Sequence, residues 1–131
     1  MDSRIFRVYL PFPGLPKERP RQGQGHFYTP TKTRNYEAHV SQLMKSQYIF
    51  NPLDGAIEVW VRFLFAKPKT TKFKNYPCGK PDLDNLEKAL FDAANKLLWT
   101  DDSRIVKKHS EKAWAAEGQA PGVVLEFSEL N

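Results

Sequence analysis

Residues 56–66 read AIEVWVRFLFA and form the clearest strand pattern in the chain. Alternation with a period of two is typical of a strand that packs one face on a core. β-branched and aromatic side chains favour the same conformation. The fold is therefore expected to be built on a sheet that contains this strand. Five apolar side chains share its inner face: Ile57, Val59, Val61, Phe63 and Phe65.

The segments before this strand predict a strand, a long loop and a helix. Residues 4–12 alternate between apolar and polar side chains and predict a half-buried strand. Residues 13–33 contain four prolines and three glycines, which indicates an irregular loop. Residues 34–50 have apolar side chains three or four positions apart, as a helix requires, and Asn51-Pro52 ends the pattern.

The segments after it predict a basic loop, a second helix and two further strands. Residues 67–80 read KPKTTKFKNYPCGK, with five lysines and no acid. Residues 84–98 return to helical spacing, and strands are expected over 104–114 and 123–127. Strands and helices in this order predict a small α+β domain over residues 1–131, with two main helices packed on one mixed sheet.

Composition excludes several classes of protein. A chain of 131 residues fits one domain, and 40% hydrophobic residues are enough for a core. The single cysteine, Cys78, excludes an internal disulfide framework and a zinc cluster of several thiolates. No apolar run approaches the roughly 20 residues that span a bilayer, and charges interrupt the N-terminus where a signal peptide is apolar. A cytoplasmic protein without a membrane partner is expected.

The charge of the chain is divided unevenly along its length. Residues 1–81 carry 14 basic and 5 acidic side chains, whereas residues 82–131 carry 6 basic and 10 acidic ones. A basic part is suited to a polyanion, and a cluster of acids is suited to a divalent cation. The alternative is a solvated surface with uneven loops.

Two pairs of aspartates flank the second predicted helix. Asp82 and Asp84 stand at its entry, and Asp101 and Asp102 follow its end. Lys88 lies one turn after Asp84 on the same helix face. One acid at each place would be an ordinary helix cap or Asx turn, and Lys88 would then form a surface ion pair with Asp84. A second carboxylate at each place adds repulsion without a second cap.

Convergence of the two pairs would create a site for a metal ion. Crowded carboxylates repel one another, so their pKa values rise unless a cation intervenes. Mg²⁺ and Mn²⁺ prefer oxygen ligands and keep water in open positions. Such a site can activate water against a phosphodiester, while Lys88 neutralises charge on the phosphate.

Other chemistries have less support in the sequence. His26, His39 and His109 lack the H-x-x-x-H spacing of zinc hydrolases. Neither G-x-x-x-x-G-K nor G-x-G-x-x-G is present, so no nucleotide cofactor is expected. Cys78 has lysine neighbours that could lower its pKa, but no histidine is close to it in sequence.

The run KPDLDNLEKALFDA at residues 80–93, followed by LLWTDDSRIV, resembles the RusA family of Holliday junction resolvases. The resemblance is densest over residues 80–106, at D-L-D-N-x-x-K, F-D-A and W-x-D-D-S. It implies that Asp82, Asp84 and Asp102 hold magnesium and that Lys88 assists. It also implies a homodimer, whose twofold symmetry suits a four-way junction.

The function expected from these observations is a magnesium-dependent endodeoxyribonuclease that resolves Holliday junctions by paired symmetric nicks. Phe73 and Tyr76 either stack on unpaired bases or anchor their loop. Two other functions remain open: a non-catalytic, structure-selective DNA-binding module, and a metal nuclease for another branched DNA or for RNA. The side chains expected to contact the DNA backbone are basic and lie in two loops: Arg19, Arg21, Lys67, Lys69, Lys72 and Lys74.

Overall fold

The described part of the chain contains six strands and two α-helices. The structure, a computed structural model, describes residues 4–17, 21–23, 26–28 and 31–130. The elements in chain order are β1 (Phe6–Leu10), β2 (Arg21–Gly23), β3 (His26–Tyr28), α1 (Thr31–Gln47), β4 (Ala56–Phe65), α2 (Leu83–Ala94), β5 (Ile105–Trp114) and β6 (Gly122–Leu130).

Four of the strands make one mixed sheet in the order β1-β6-β4-β5. β6 runs antiparallel to both β1 and β4, whereas β4 and β5 are parallel. Parallel neighbours need a crossover connection, and α2 lies in the segment that joins β4 to β5. The predicted α+β architecture, with two helices and a mixed sheet, is confirmed.

The core lies between the two helices and one face of the sheet. The alternation predicted for β4 is confirmed, since Ile57, Val59, Val61 and Phe63 are each at most 1% exposed. Full burial of such a side chain contributes about 1.5–3 kcal/mol. The helices contribute buried side chains one turn apart to the same cluster: Val40 and Met44 from α1, and Leu86 and Leu90 from α2.

Helix α1 is also tied to the outermost strand by a polar side chain. The Gln47 side chain accepts a hydrogen bond from the Tyr9 backbone N–H and donates one to the Tyr9 carbonyl oxygen, both at 2.7 Å. An edge strand presents unpaired backbone groups, and this amide satisfies two of them.

Helix α2 is shorter than the sequence predicts. It ends at Ala94 rather than at residue 98, because Asn95 has a non-helical backbone and Lys96 has a positive φ of 69°. The apolar spacing continues beyond that point, since Leu98 is fully buried from within the following turn. The apolar spacing therefore predicted the burial of Leu98 correctly and the end of α2 incorrectly.

The expectation of an irregular loop over residues 13–33 was wrong in part. Two three-residue strands, β2 and β3, pair antiparallel there, and α1 begins at Thr31 instead of residue 34. Strands of three residues are too short to show an alternation. In the described part of the chain, no helix combines the length and the apolar character needed to cross a bilayer.

Candidate active site

A cavity of about 430 Å³ lies between α2 and the first half of β5. Acidic and basic side chains share its wall, together with three apolar ones. The acids are Asp84, Glu87, Asp92 and Asp102; the bases are Lys88, Lys107 and Lys108; the apolar residues are Phe91, Ile105 and Val106.

Helix α2 supplies one side of the wall. Asp84, Lys88 and Asp92 are four residues apart, so they lie on one face in successive turns. The opposite face carries the buried leucine stripe, which fixes the rotation of the helix about its axis. Asp84 and Lys88 form no ion pair with each other, and Lys88 is exposed with no acidic partner among the described residues.

Asp82 occupies the N-cap position of α2 but does not line the cavity. Its carbonyl oxygen accepts a hydrogen bond from the Leu86 N–H at 3.1 Å, while its side chain makes no capping hydrogen bond. The carboxylate instead pairs with Lys80 at 3.0 Å. The structure thus brings Asp84, Asp102 and Lys88 to one cavity and leaves Asp82 beside it.

The adjacent residues Asp101 and Asp102 have different environments. Asp101 accepts a hydrogen bond from the Ser103 N–H at 2.9 Å, which is the local cap that the sequence allowed. Hydrogen bonding from the Ser103 hydroxyl, and then from this backbone N–H, lowers the pKa of Asp101. Asp102 instead accepts a 2.7 Å hydrogen bond at Oδ1 from the indole N–H of Trp99, a fully buried residue. Its backbone N–H donates to the side-chain oxygen of Asn95 at 3.0 Å.

Burial raises the pKa of Asp102, and the negative charges of Asp92 and Asp101 raise it further. The hydrogen bond from Trp99 acts in the opposite direction because it stabilises the ionised form. A nearby cation would stabilise the ionised form of Asp102, because it would offset the negative charges of Asp92 and Asp101.

The oxygen atoms of Asp84 and Asp102 are ligands that Mg²⁺ and Mn²⁺ accept. Of the two carboxylate oxygens of Asp102, Trp99 engages only Oδ1. Over residues 4–17, 21–23, 26–28 and 31–130, however, no three acidic, histidine or cysteine side chains stand close enough together to hold a metal ion. The oxygen donors of Asp84 and Asp102 are therefore of the type that the implied cation prefers, while the third implied carboxylate, Asp82, lies outside the cavity.

Lys17 neutralises Asp92, the second acid of this helix face. Its ammonium group pairs with Asp92 at 3.0 Å and with Glu37 of α1 at 2.6 Å. Its backbone N–H also donates to the Asn85 carbonyl oxygen at 3.1 Å. The chain reaches this position by passing close over the core at Gly14, where a Cβ would lie 2.8 Å from the ring of Phe63.

An irregularity at the start of β5 shapes the other side of the wall. Ile57 pairs with Ile105, but its neighbour Glu58 pairs with Lys107, so Val106 is an extra residue in the ladder. Such a bulge redirects the side chains that follow it. Four consecutive residues of β5, from Ile105 to Lys108, line the cavity as a result.

The four lysines from Lys67 to Lys74 in the basic loop are exposed, and the loop is anchored at Phe73, near its middle. Lys67, Lys69, Lys72 and Lys74 are exposed and have no acidic partner within the described ranges. Phe73 is partly buried, and its carbonyl oxygen accepts a 2.8 Å hydrogen bond from the Trp114 indole, as expected of a loop anchor.

Tyr76 is 68% exposed in the same loop and therefore remains available to a partner. Of the two arginines proposed to contact DNA, Arg19 lies outside the described residues. Arg21 lies in β2, where the structure describes the backbone and not the side chains.

Several residues of the cavity were not predicted as site residues. Asp92 continues the four-residue spacing of Asp84 and Lys88, so its position on that face was visible in the sequence. Trp99 and Asn95 hold Asp102. Trp99 belongs to the W-x-D-D-S motif, but neither contact could be predicted from spacing, because both depend on how the turn after α2 folds. Lys107 and Lys108 reach the cavity through the bulge in β5.

The chain is similar to known proteins over a range that includes every residue of this site. The model of the family described as endodeoxyribonuclease RusA matches residues 11–126. A relative in Bacillus subtilis strain 168, described as the uncharacterized protein YqaN, is 27% identical over 141 residues, which cover 98% of this chain and 99% of the relative. The family match includes both predicted aspartate pairs, Lys88 and the basic loop.

Proposed function

Since the chain belongs to the RusA family of endodeoxyribonucleases, we propose that it is a metal-dependent nuclease that resolves four-way DNA junctions by paired nicks. The observation that supports this proposal most strongly is the arrangement of Asp84, Asp102 and Lys88 around one cavity. Two carboxylates and a cation at one site suit hydrolysis of a phosphodiester.

Asp84 and Asp102 are proposed to hold Mg²⁺, with Mn²⁺ as a substitute. Asp82 is proposed as a third ligand, which requires its carboxylate to exchange the ion pair with Lys80 for the metal. A bound divalent cation lowers the pKa of a water ligand and offsets charge on the phosphate. Trp99 fixes the orientation of Asp102 by holding Oδ1, and Asp101 is occupied by its cap on Ser103.

Lys88 is proposed to stabilise the phosphate during cleavage. The residue lies one turn from Asp84 on the cavity wall and is free of acidic partners in the described part of the chain. A cation without a partner in the resting protein is available to an incoming phosphate oxygen. Its ammonium group therefore gains a partner when DNA binds.

DNA is proposed to contact two basic segments, the first containing Arg19 and Arg21 and the second, the basic loop, containing the four lysines from Lys67 to Lys74. Contacts of this kind fix position along the backbone and do not read bases. A homodimer is proposed as the active form, because a twofold dimer presents two equivalent sites to the two strands of a junction. The protein would act in DNA recombination and repair.

Comparison of substrates tests this function. A labelled four-way junction, a flapped duplex, a linear duplex and a single-stranded RNA are each incubated with the protein in Mg²⁺ at matched salt. Two symmetric nicks confined to the junction are expected. Equal cutting of the linear duplex or preferred cutting of RNA would indicate a different nuclease. Tight junction binding without cutting would indicate a DNA-binding module.

A further inference from the structure

Glu87 is a buried acid on the wall of the cavity. The residue is 8% exposed and lies in α2 beside Lys88. Its Oε2 accepts a 2.6 Å hydrogen bond from the hydroxyl of Ser110 and lies 3.2 Å from the ammonium nitrogen of Lys108. An ionised carboxylate with so little access to water needs partners of this kind.

Lys108 is held by this acid and still reaches solvent. Its side chain is 48% exposed, against 10% for the side chain of Glu87. It follows the bulge of β5 and lines the same cavity as Asp84 and Asp102. An ammonium group has three N–H donors, and Glu87 is its only acidic partner among the residues that the structure describes.

We propose that Lys108 binds a backbone phosphate of DNA in this cavity, and that Glu87 positions it. The inference rests on the proposed function, since it assigns a further substrate contact to the same site. The carboxylates Asp84 and Asp102 lie on the wall with Lys108, so a phosphate near those carboxylates is within the cavity that Lys108 lines. Glu87, which is itself held by Ser110, restricts the long lysine side chain before DNA arrives, and this reduces the entropic cost of binding.

The alternative role of Lys108 is to neutralise Glu87 and nothing else. The two roles predict different behaviour when both residues are changed. If Lys108 serves only Glu87, removing the acid as well should restore the native behaviour. If Lys108 binds a phosphate of the DNA, the double variant should bind DNA as weakly as the single one.

The experiment compares native protein with Lys108→Met, Glu87→Gln/Lys108→Met and a control, Lys45→Met, which changes an exposed lysine of α1. Binding to a four-way junction is measured in EDTA over a range of salt concentrations, so that no strand is cut. In the double variant Glu87 is replaced by a neutral side chain, so no buried acid is left without its partner and the protein is expected to fold. Circular dichroism confirms that each variant is folded.

Removal of one charge-assisted hydrogen bond to DNA should weaken binding by about tenfold in both Lys108 variants. The log–log salt slope should fall by about 0.9 in both of them, and Lys45→Met should match the native protein. Native affinity and slope in the double variant would overturn the inference. A native protein that binds no junction would overturn the proposed function instead, so the two failures are distinguishable.

Discussion

At the scale of single residues, the adjacent aspartates Asp101 and Asp102 differ in the groups that donate hydrogen bonds to their carboxylates. The carboxylate of Asp101 is used within its own turn, where it accepts from Ser103. The carboxylate of Asp102 is held by an indole from the core and faces two other acids. Identical side chains, one residue apart, thus have pKa values shifted in opposite directions.

The raised pKa of Asp102 predicts whether a neutral variant is more or less stable than native protein when no metal is present. Its ionised form is disfavoured by folding, so its stabilising contribution is present below the ordinary pKa of 3.8 and is lost as the pH rises through the folded value. Asp102→Asn is neutral and keeps an oxygen for Trp99. We expect its melting temperature in EDTA to exceed that of native protein at pH 7 by about 1–4 °C.

The same comparison at pH 3 is the control for this effect. Below the ordinary pKa both proteins are neutral at this position, and the difference in melting temperature should disappear. A variant that melts lower than native protein at pH 7 would show that the Asp102 carboxylate stabilises the metal-free fold, contrary to its crowded position.

Residue types and spacing indicated the two aspartate pairs and Lys88, and the resemblance to the RusA family selected Asp102 from its pair. Asp84, Lys88 and Asp102 line one cavity in the structure. Spacing did not predict the ion pair between Asp82 and Lys80, because it depends on the conformations of two side chains. Trp99 lies three residues before Asp102 in the W-x-D-D-S motif, but spacing alone did not predict that its indole would hold the carboxylate, since this contact requires the turn after α2 to form.

At the scale of elements, the basic loop is connected to the site through its last residues. The ammonium group of Lys112, in β5, donates to the carbonyl oxygens of Gly79 at 2.9 Å and Pro81 at 3.0 Å. These hydrogen bonds hold the segment that leads into Asp82 and the first turn of α2. The loop and the site therefore share one anchor.

Lys112→Met tests that anchor. Two hydrogen bonds from a charged, partly buried donor are removed, so we expect the free energy of unfolding in urea to fall by about 1–3 kcal/mol. Lys67→Met is the matched control because that lysine is exposed and without an acidic partner in the described part. Its change should stay within about 0.5 kcal/mol. Equal values for the two variants would count against an anchoring role.

Neutralising lysines of the exposed loop tests its role in DNA binding. In Lys69→Gln/Lys72→Gln, the log–log slope of junction binding against salt should become shallower by about 0.9 for each phosphate that the loop no longer neutralises. Binding is measured in EDTA, and thermal unfolding should be unchanged because neither side chain is buried. A slope equal to that of native protein would place the DNA elsewhere.

Elements with a strong period were predicted well, and their ends were not. The inner face of β4 is buried as expected. The end of α2 was misplaced because a buried Leu98 continues the apolar spacing beyond the last helical turn. The pairing of β2 with β3 was missed because three residues carry too little pattern.

At the scale of the whole molecule, the basic and acidic parts of the sequence occupy different places in the fold. The basic loop is exposed, whereas acids from α2 and the following turn gather at the cavity. The cavity also contains more positive charge than the sequence predicted, because Lys107 and Lys108 line it from β5. This mixed composition is the one that the proposed function requires, since a phosphate and a divalent cation would have to bind together.

The most direct test of the account compares cleavage by Asp102→Asn and Asp101→Asn. A four-way junction is incubated in Mg²⁺ with each variant and with native protein, and junction binding is measured in parallel without metal. Asp102→Asn should bind the junction and cut it at least about a hundredfold more slowly, while Asp101→Asn should cut within a few-fold of native protein. Undiminished cleavage by Asp102→Asn would contradict the proposed hydrolytic site.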